Sequence, residues 1–312
     1  MKKKAILLLL LLLTLSLFFI PVTQQKDINV KGSFFNVYTS LSLPTQWEQW
    51  RSDLRHIAET DSSKISVQKG TNSFSLTSTE KTLNVKYSGN SFLVDDGLSG
   101  KSIEYEFAVV PKKDNNSTSV TVLRRTSLIS YLLAGGELLA DTHISDLKIF
   151  METDSLHYGY KIVKTKVPED NLIEIKKKVL ASDKFTSAAG MLASLHRFIA
   201  AHNTKQMQPV IAQFLPKGKD SMQVNVGIFI DKVVKPEKDI AFVTMPKGGP
   251  LYSAKFSGKF DKRGKVYESV HRYFADHGYQ IAILPFETYL DNKLPVSDTS
   301  TVNIRVNFSA YF

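Results

Sequence analysis

Ser194-Leu195-His196-Arg197-Phe198-Ile199-Ala200-Ala201-His202-Asn203 is matched further along the chain by Ser269-Val270-His271-Arg272-Tyr273-Phe274-Ala275-Asp276-His277-Gly278, and five of the ten positions are identical. The offset that carries Ser194 onto Ser269 extends in both directions. Upstream, Ser182, Lys184 and Phe185 fall on Ser257, Lys259 and Phe260; downstream, Phe214-Leu215 falls on Tyr289-Leu290. With three further loop residues allowed, Val224-Asn225-Val226 meets Val302-Asn303-Ile304. Self-similarity at one spacing marks a repeated unit that cannot bury its apolar face alone. The pattern predicts two strand-helix-strand-strand units that join their strands in one antiparallel sheet, with both helices on one face and a groove between them.

The helices are expected at about 186–202 and 261–277. In the second, Val266, Val270, Tyr273 and Phe274 recur at helical spacing and form one apolar face. Thr186 and Asp261 suit N-caps, and Asn203 and Gly278 stand where a left-handed C-terminal residue is wanted. His202 and His277 then occupy the last turn, where an imidazole interacts favourably with the helix dipole. His196 and His202 are spaced so that they do not share a helix face. No metal site is read from these histidines.

The strand after the second helix carries the functional signal. Its residues from Ile283 to Leu290 alternate, with Leu284, Phe286 and Leu290 on one face and Ile283, Pro285, Glu287 and Tyr289 on the other. The first unit has Val210, Ala212 and Phe214 in place of Pro285, Glu287 and Tyr289. A carboxylate and a phenol thus stand where the twin has a methyl group and a plain ring. A carboxylate facing an apolar aromatic groove selects a cation or a hydrogen-bond donor on a ligand. The competing reading is an exposed or salt-bridged strand residue.

Residues 158–312 resemble the gyrase-inhibitor-like small-molecule-binding family, which also forms the effector-binding domain of AraC-type regulators. The resemblance rests on Gly248-Gly249-Pro250-Leu251-Tyr252 leading to Phe256-Ser257-Gly258, on the helix ending at His277-Gly278, and on Pro285-Phe286-Glu287-Thr288-Tyr289-Leu290. It implies an α+β fold with a duplicated SHS2-type module. It also implies a ligand site built from Glu287, Tyr289, Tyr252, Phe214 and Pro285, with Glu287 meeting a cationic ligand. Some relatives are hydrolases with a glutamate and tyrosines at this groove, which would make Glu287 and Tyr289 catalytic. No helix-turn-helix segment precedes the domain, so control of transcription by this chain is not implied.

The first half, 28–155, reads differently. Val30 to Leu43 is strand-like, and Trp47, Trp50, Leu54 and Ile57 form a helical apolar stripe. Strands follow at about 64–69, 73–77, 82–87, 103–110 and 119–125, divided by turn signals such as Ser88-Gly89-Asn90, and a helix is expected over 144–153. This order, with Trp47-x-x-Trp50 at its opening, resembles the START-like, polyketide-cyclase-like superfamily. The resemblance implies a helix-grip fold. The tryptophans are read as core.

Residues 1–25 form a leader, in which Lys2, Lys3 and Lys4 precede an apolar run from Ala5 to Val22. That run is expected to act as a membrane anchor or a cleaved signal, placing the folded part outside the cytoplasm. The absence of cysteine excludes disulfides, thiolate metal sites and a cysteine nucleophile. The net charge of +10 is dispersed, with no basic run of five, and is read as a solvated surface with no nucleic-acid partner. No Gly-x-Ser-x-Gly elbow is present, and Gly258 to Val266 fails as a phosphate loop because Val266 replaces the magnesium-binding hydroxyl. No cofactor is expected. Three functions remain open on sequence alone: a non-catalytic binder of an amphipathic or cationic small molecule, a hydrolase using Glu287, and a structural or protein-interaction module at the membrane.

Overall fold

The computed structural model describes residues 18–60, 65–79, 81–98, 101–114, 116–133, 142–237 and 239–311. The chain divides into two compact units, Met1–His157 and Tyr158–Phe312, each mixed α+β with one antiparallel sheet.

The first unit opens with strand β1 (Pro21–Lys31), which pairs with β7 (Ser117–Ser127) along its whole length. Residues 21–25, assigned to the leader on sequence, therefore lie in the sheet, in an edge strand where Val22 and Gln24 are half-buried and their neighbours exposed. The rest of the expected leader, up to residue 17, lies outside the described residues. No described helix is long and apolar enough to cross a membrane. The segment read as one strand from Val30 to Leu43 divides at Gly32. Ser33 Oγ accepts the Asn36 amide at 3.3 Å and starts α1 (Phe34–Ser42), in which Val37 and Leu41 are buried.

Helices α2 (Pro44–Trp50) and α3 (Ser52–Thr60) follow. The sheet is completed by β2 (Ser66–Lys69), β3 (Ser73–Thr77), β4 (Lys81–Ser88), β5 (Ser91–Leu98) and β6 (Lys101–Pro111), in the order β1-β7-β6-β5-β4-β3-β2. Strand β5 is absent from the sequence reading, because Asp95-Asp96-Gly97 lowers its strand propensity. Next come α4 (Leu128–Leu133), α5 (Ile144–Glu152) and α6 (Asp154–His157). Trp47 and Trp50 sit in the core with ring centroids 4.6 Å apart, and their indole N–H groups donate to Leu41 O and Ser40 O. Both polar handles are satisfied internally, as buried indoles require.

The second unit contains β8 (Ile162–Lys166), β9 (Asn171–Leu180), α7 (Lys184–Ala201), β10 (Ile211–Pro216), β11 (Ser221–Phe229), β12 (Ala241–Thr244), β13 (Pro250–Lys259), α8 (Gly264–Asp276), β14 (Gln280–Tyr289) and β15 (Thr301–Tyr311). Its sheet order, β12-β9-β11-β10-β14-β15-β13-β8, reads as two equivalent arms about the β10–β14 junction. Both helices pack on one face. Ala188, Met191, Leu195 and Phe198 of α7 and Val266, Val270 and Phe274 of α8 join one core with the sheet. The opposite face carries a smaller cluster around Leu172, Ile211, Phe229 and Phe286.

The helix ends match each other closely. Asn203 and Gly278 have φ of 49° and 67°, and the next amides, Thr204 and Tyr279, donate back to Ile199 O and Phe274 O. His202 and His277 donate Nδ1–H to Phe198 O and Tyr273 O and stack on those same rings. The helix starts differ from expectation. Single 3-10 turns at Ala181–Asp183 and Phe260–Lys262 precede the helices, so neither Thr186 nor Asp261 is an N-cap. These turns make Ala181, not Phe185, the counterpart of Phe260, because α7 carries an additional turn at its start. The Phe185 and Phe260 rings that the sequence match pairs meet edge to face, 5.3 Å between centroids. Phe214 pairs with Val224 and Tyr289 with Ile304, so the structural counterpart of Val224 is Ile304, where the sequence match has Val302.

Candidate functional site

Among the described residues, the two arms of the second sheet pair strand to strand at Ile211↔Thr288 and Ala212↔Glu287, and the Tyr289 amide donates to Val210 O at 2.8 Å. Ala212 and Glu287, the residues that the sequence match sets opposite each other, are therefore direct partners across the junction. Strand β14 is irregular between Ile281 and Phe286, and beyond Ala212 the backbones part. There the Gln213 side chain bridges the gap, donating to Leu284 O at 3.1 Å and Pro285 O at 3.0 Å. The same irregularity turns Ile283 to the face of Phe286, so the expected alternation holds only from Pro285 onward.

Glu287 is 1% exposed and points to the helix side. Its Oε1 accepts Arg263 Nε at 2.6 Å and Tyr267 OH at 3.0 Å, and its Oε2 accepts Tyr289 OH at 2.5 Å. Arg263 stands at the start of α8. Its guanidinium carbon lies 3.5 Å from the Phe260 ring centroid, and its Nη1 donates to Phe260 O. A buried carboxylate needs a charge partner and hydrogen-bond donors, and here one cation and two phenols supply both. Burial, and then the adjacent Glu287 charge, push the Tyr267 and Tyr289 hydroxyls well above the ordinary tyrosine range.

A groove of about 510 Å³ opens beside this cluster, lined by Phe214, Leu215 and Met222 from β10 and β11 and by Phe260, Arg263 and Tyr267 around the start of α8. Pro285, His271 and Lys184 also line it. Of the residues expected to contact a ligand, Phe214 and Pro285 line the groove. Glu287 and Tyr289 do not: they lie beneath Arg263 and Tyr267, so the carboxylate predicted to face the groove unpaired is neutralised by the protein's own cation. Tyr252 also lies elsewhere, buried among Tyr273, Phe274 and Tyr279 at the far end of α8. Strand alternation does not find Arg263 and Tyr267, although Arg263, Tyr267 and His271 at i, i+4 and i+8 make one helical stripe.

Other concave and charged features carry less. A cavity of about 660 Å³ lies between α7 and the 237–240 segment, but its buried wall residues, Ile175, Met191, Phe198 and Ile240, are all apolar and its polar ones are exposed or half-exposed. A third, of about 340 Å³, lies on the helix-free face of the sheet. In the first unit Arg51 is fully buried and pairs with Asp53 and Asp96, each at 2.7 Å, while Lys81 Nζ lies 2.5 Å from Asp53 and 3.0 Å from Asp96. Among the described residues, no group of three or more His, Asp or Glu is arranged to hold a metal ion.

No family model and no curated protein matches the chain. Among solved structures, the chain is similar to the EcmrR C-terminal domain at 17% identity and a TM-score of 0.40, over 49% of this chain and 98% of that one. It is similar to EcmrR in a DNA complex at 16% identity and a TM-score of 0.42, over 58% and 71% of the two chains. A hydrolase from Listeria innocua is similar at 12% identity and a TM-score of 0.36, over 48% and 92%.

Proposed function

We propose that the second unit is a non-catalytic small-molecule-binding module, a duplicated SHS2-type fold that holds an amphipathic ligand in the groove over the β10–β14 junction. The observation that carries this reading is the groove itself. It is a concavity of about 510 Å³ with aromatic and aliphatic walls contributed by both arms, and a polar cluster lies buried at one side. Its size falls within the range of small-molecule pockets, and apolar walls with a few placed polar groups are what such pockets present. Binding is favoured over hydrolysis because Glu287 is engaged by Arg263, Tyr267 and Tyr289 and is 1% exposed, which leaves no route for it to activate a water.

For the first unit we propose a helix-grip, START-like scaffold. Its strand order and its helices between the first two strands support this. The basic and apolar amino-terminal sequence supports placing both units outside the cytoplasm. The groove reading is tested by thermal-shift and calorimetric titration of the full chain with a panel of aryl and alkyl amphiphiles. Saturable stabilisation is expected from some members, and Leu215→Trp, which fills the groove, is expected to abolish it. Stabilisation by none of them, or stabilisation that Leu215→Trp leaves intact, overturns the reading.

A further inference from the structure

We propose that the groove is selective for a ligand with an anionic head on an apolar body, and that Arg263 is the residue that reads the head. This inference rests on the groove being a ligand site, and it assigns that ligand a charge.

Each carboxylate described at the groove already has a cation. Glu287 is held by Arg263 at 2.6 Å, Asp298 by Lys184 at 2.7 Å, and Asp261 lies 3.6 Å from Lys262. A cationic ligand would therefore have to displace an internal partner before gaining an acidic contact. At Glu287 it would have to expel a guanidinium that is also stacked on Phe260 and bonded to its carbonyl. Arg263 is differently placed. Its Nε and Nη1 are used by Glu287 and Phe260, its Nη2 makes no hydrogen bond among the described residues, and its side chain, 19% exposed, lines the cavity. A planar guanidinium fixed on one edge and open on another is preorganised for a carboxylate, and it loses little freedom on binding. The apolar body of the ligand would lie against Phe214, Leu215 and Met222. The sequence reading of Glu287 as a cation selector is reversed by its partner: the groove meets the outer side of the Arg263–Glu287 pair.

The test is isothermal titration of the full chain with 4-butylbenzoate and 4-butylbenzylamine, which share one apolar body. A charge-assisted hydrogen bond corresponds to roughly tenfold or more in affinity. The wild-type chain is expected to bind the benzoate at least about tenfold more tightly than the amine. Arg263→Met is expected to uncover Glu287 and favour the amine. Because that variant leaves a buried carboxylate unpaired, the double substitution Arg263→Met with Glu287→Gln provides a neutral control in which the two probes bind alike. Equal or tighter binding of the amine by the wild-type chain overturns the charge assignment while leaving the groove in place, as does a benzoate affinity unchanged in the double variant. If neither probe binds, or if Leu215→Trp leaves binding unaltered, the groove itself is refuted and the charge assignment falls with it.

Discussion

Replacing Glu287 by Gln isolates the charge at the centre of the second unit without altering its volume. The native carboxylate accepts three hydrogen bonds, one of them from a guanidinium. Gln can keep its carbonyl oxygen toward Arg263 and Tyr267, which share Oε1 in the native site, and turn its amide to the Tyr289 hydroxyl oxygen, which can accept; what is lost is the negative charge facing the guanidinium. Breaking a fully buried ion pair costs about 3–5 kcal/mol. Arg263 is 19% exposed and can turn partly to water, so about 2–3 kcal/mol is expected here. For a unit of this size each kcal/mol shifts Tm by about 2–4 °C, giving a fall of roughly 5–10 °C. The two tryptophans, Trp47 and Trp50, both lie in the first unit, so indole fluorescence reports that unit alone. The second unit is followed by near-UV tyrosine dichroism and by amide exchange along β14. Arg263→Met in a double-mutant cycle should show coupling of about 1–3 kcal/mol with Glu287→Gln. A loss below about 0.5 kcal/mol, or strictly additive variants, refutes a stabilising pair at this position.

Three further outcomes follow from the geometry. Tyr267 and Tyr289 are held neutral with raised pKa values, so the unfolded chain ionises first near pH 10 and the second unit loses stability as pH climbs from there through the folded-state values. Ultraviolet difference titration of the phenolate band should show Tyr267 and Tyr289, together with the buried Tyr105 of the first unit, ionising after the exposed tyrosines, and ionisation of Tyr267 and Tyr289 with the exposed ones sinks the claim. In the first unit, burial opposes ionisation of Asp53, but Arg51, Lys81 and His143 outweigh it and depress its pKa. Its contribution is therefore present above about pH 4 and lost as pH falls below, which indole fluorescence against pH should record; Asp53→Asn flattens that acid limb if the assignment is right. At Gly227 in β11, an added Cβ would lie 3.0 Å from Leu172 Cδ1 and 3.2 Å from Ile211 Cγ1. Gly227→Ala should cost the second unit about 1–3 kcal/mol, and a neutral result in urea denaturation contradicts that packing.

How much of this was legible in the sequence differs between elements for physical reasons. The helix C-termini could be read because their determinants are local. An aromatic residue four positions before a histidine, followed by Asn or Gly, is enough to specify the stacked cap and the left-handed residue. The helix starts could not, because the 3-10 turns before α7 and α8 carry no capping side chain. In the first unit the tryptophan stripe identified the core, but β5 was hidden. Its Asp96 reads as a loop residue, yet it points inward to the buried Arg51 and Lys81. Strand propensity is outweighed there by an ion pair whose members are remote from each other in the chain.

The site shows the same limit more sharply. Alternation along β14 placed Glu287 and Tyr289 on the helix side, and comparison with Ala212 marked the carboxylate as the feature that the two matched strands do not share. What alternation along one strand does not encode is the neighbour across the groove. Whether Glu287 meets a ligand or an internal cation depends on where α8 begins. The turn at Phe260–Lys262 delays that start and brings Arg263, rather than a solvent-facing residue, over the carboxylate. Moving the helix start by one residue would rotate its side chains by about 100° and take the guanidinium off the groove wall. The charge presented to a ligand is thus set by the register of a helix, and only then by the residue that stands out in the strand.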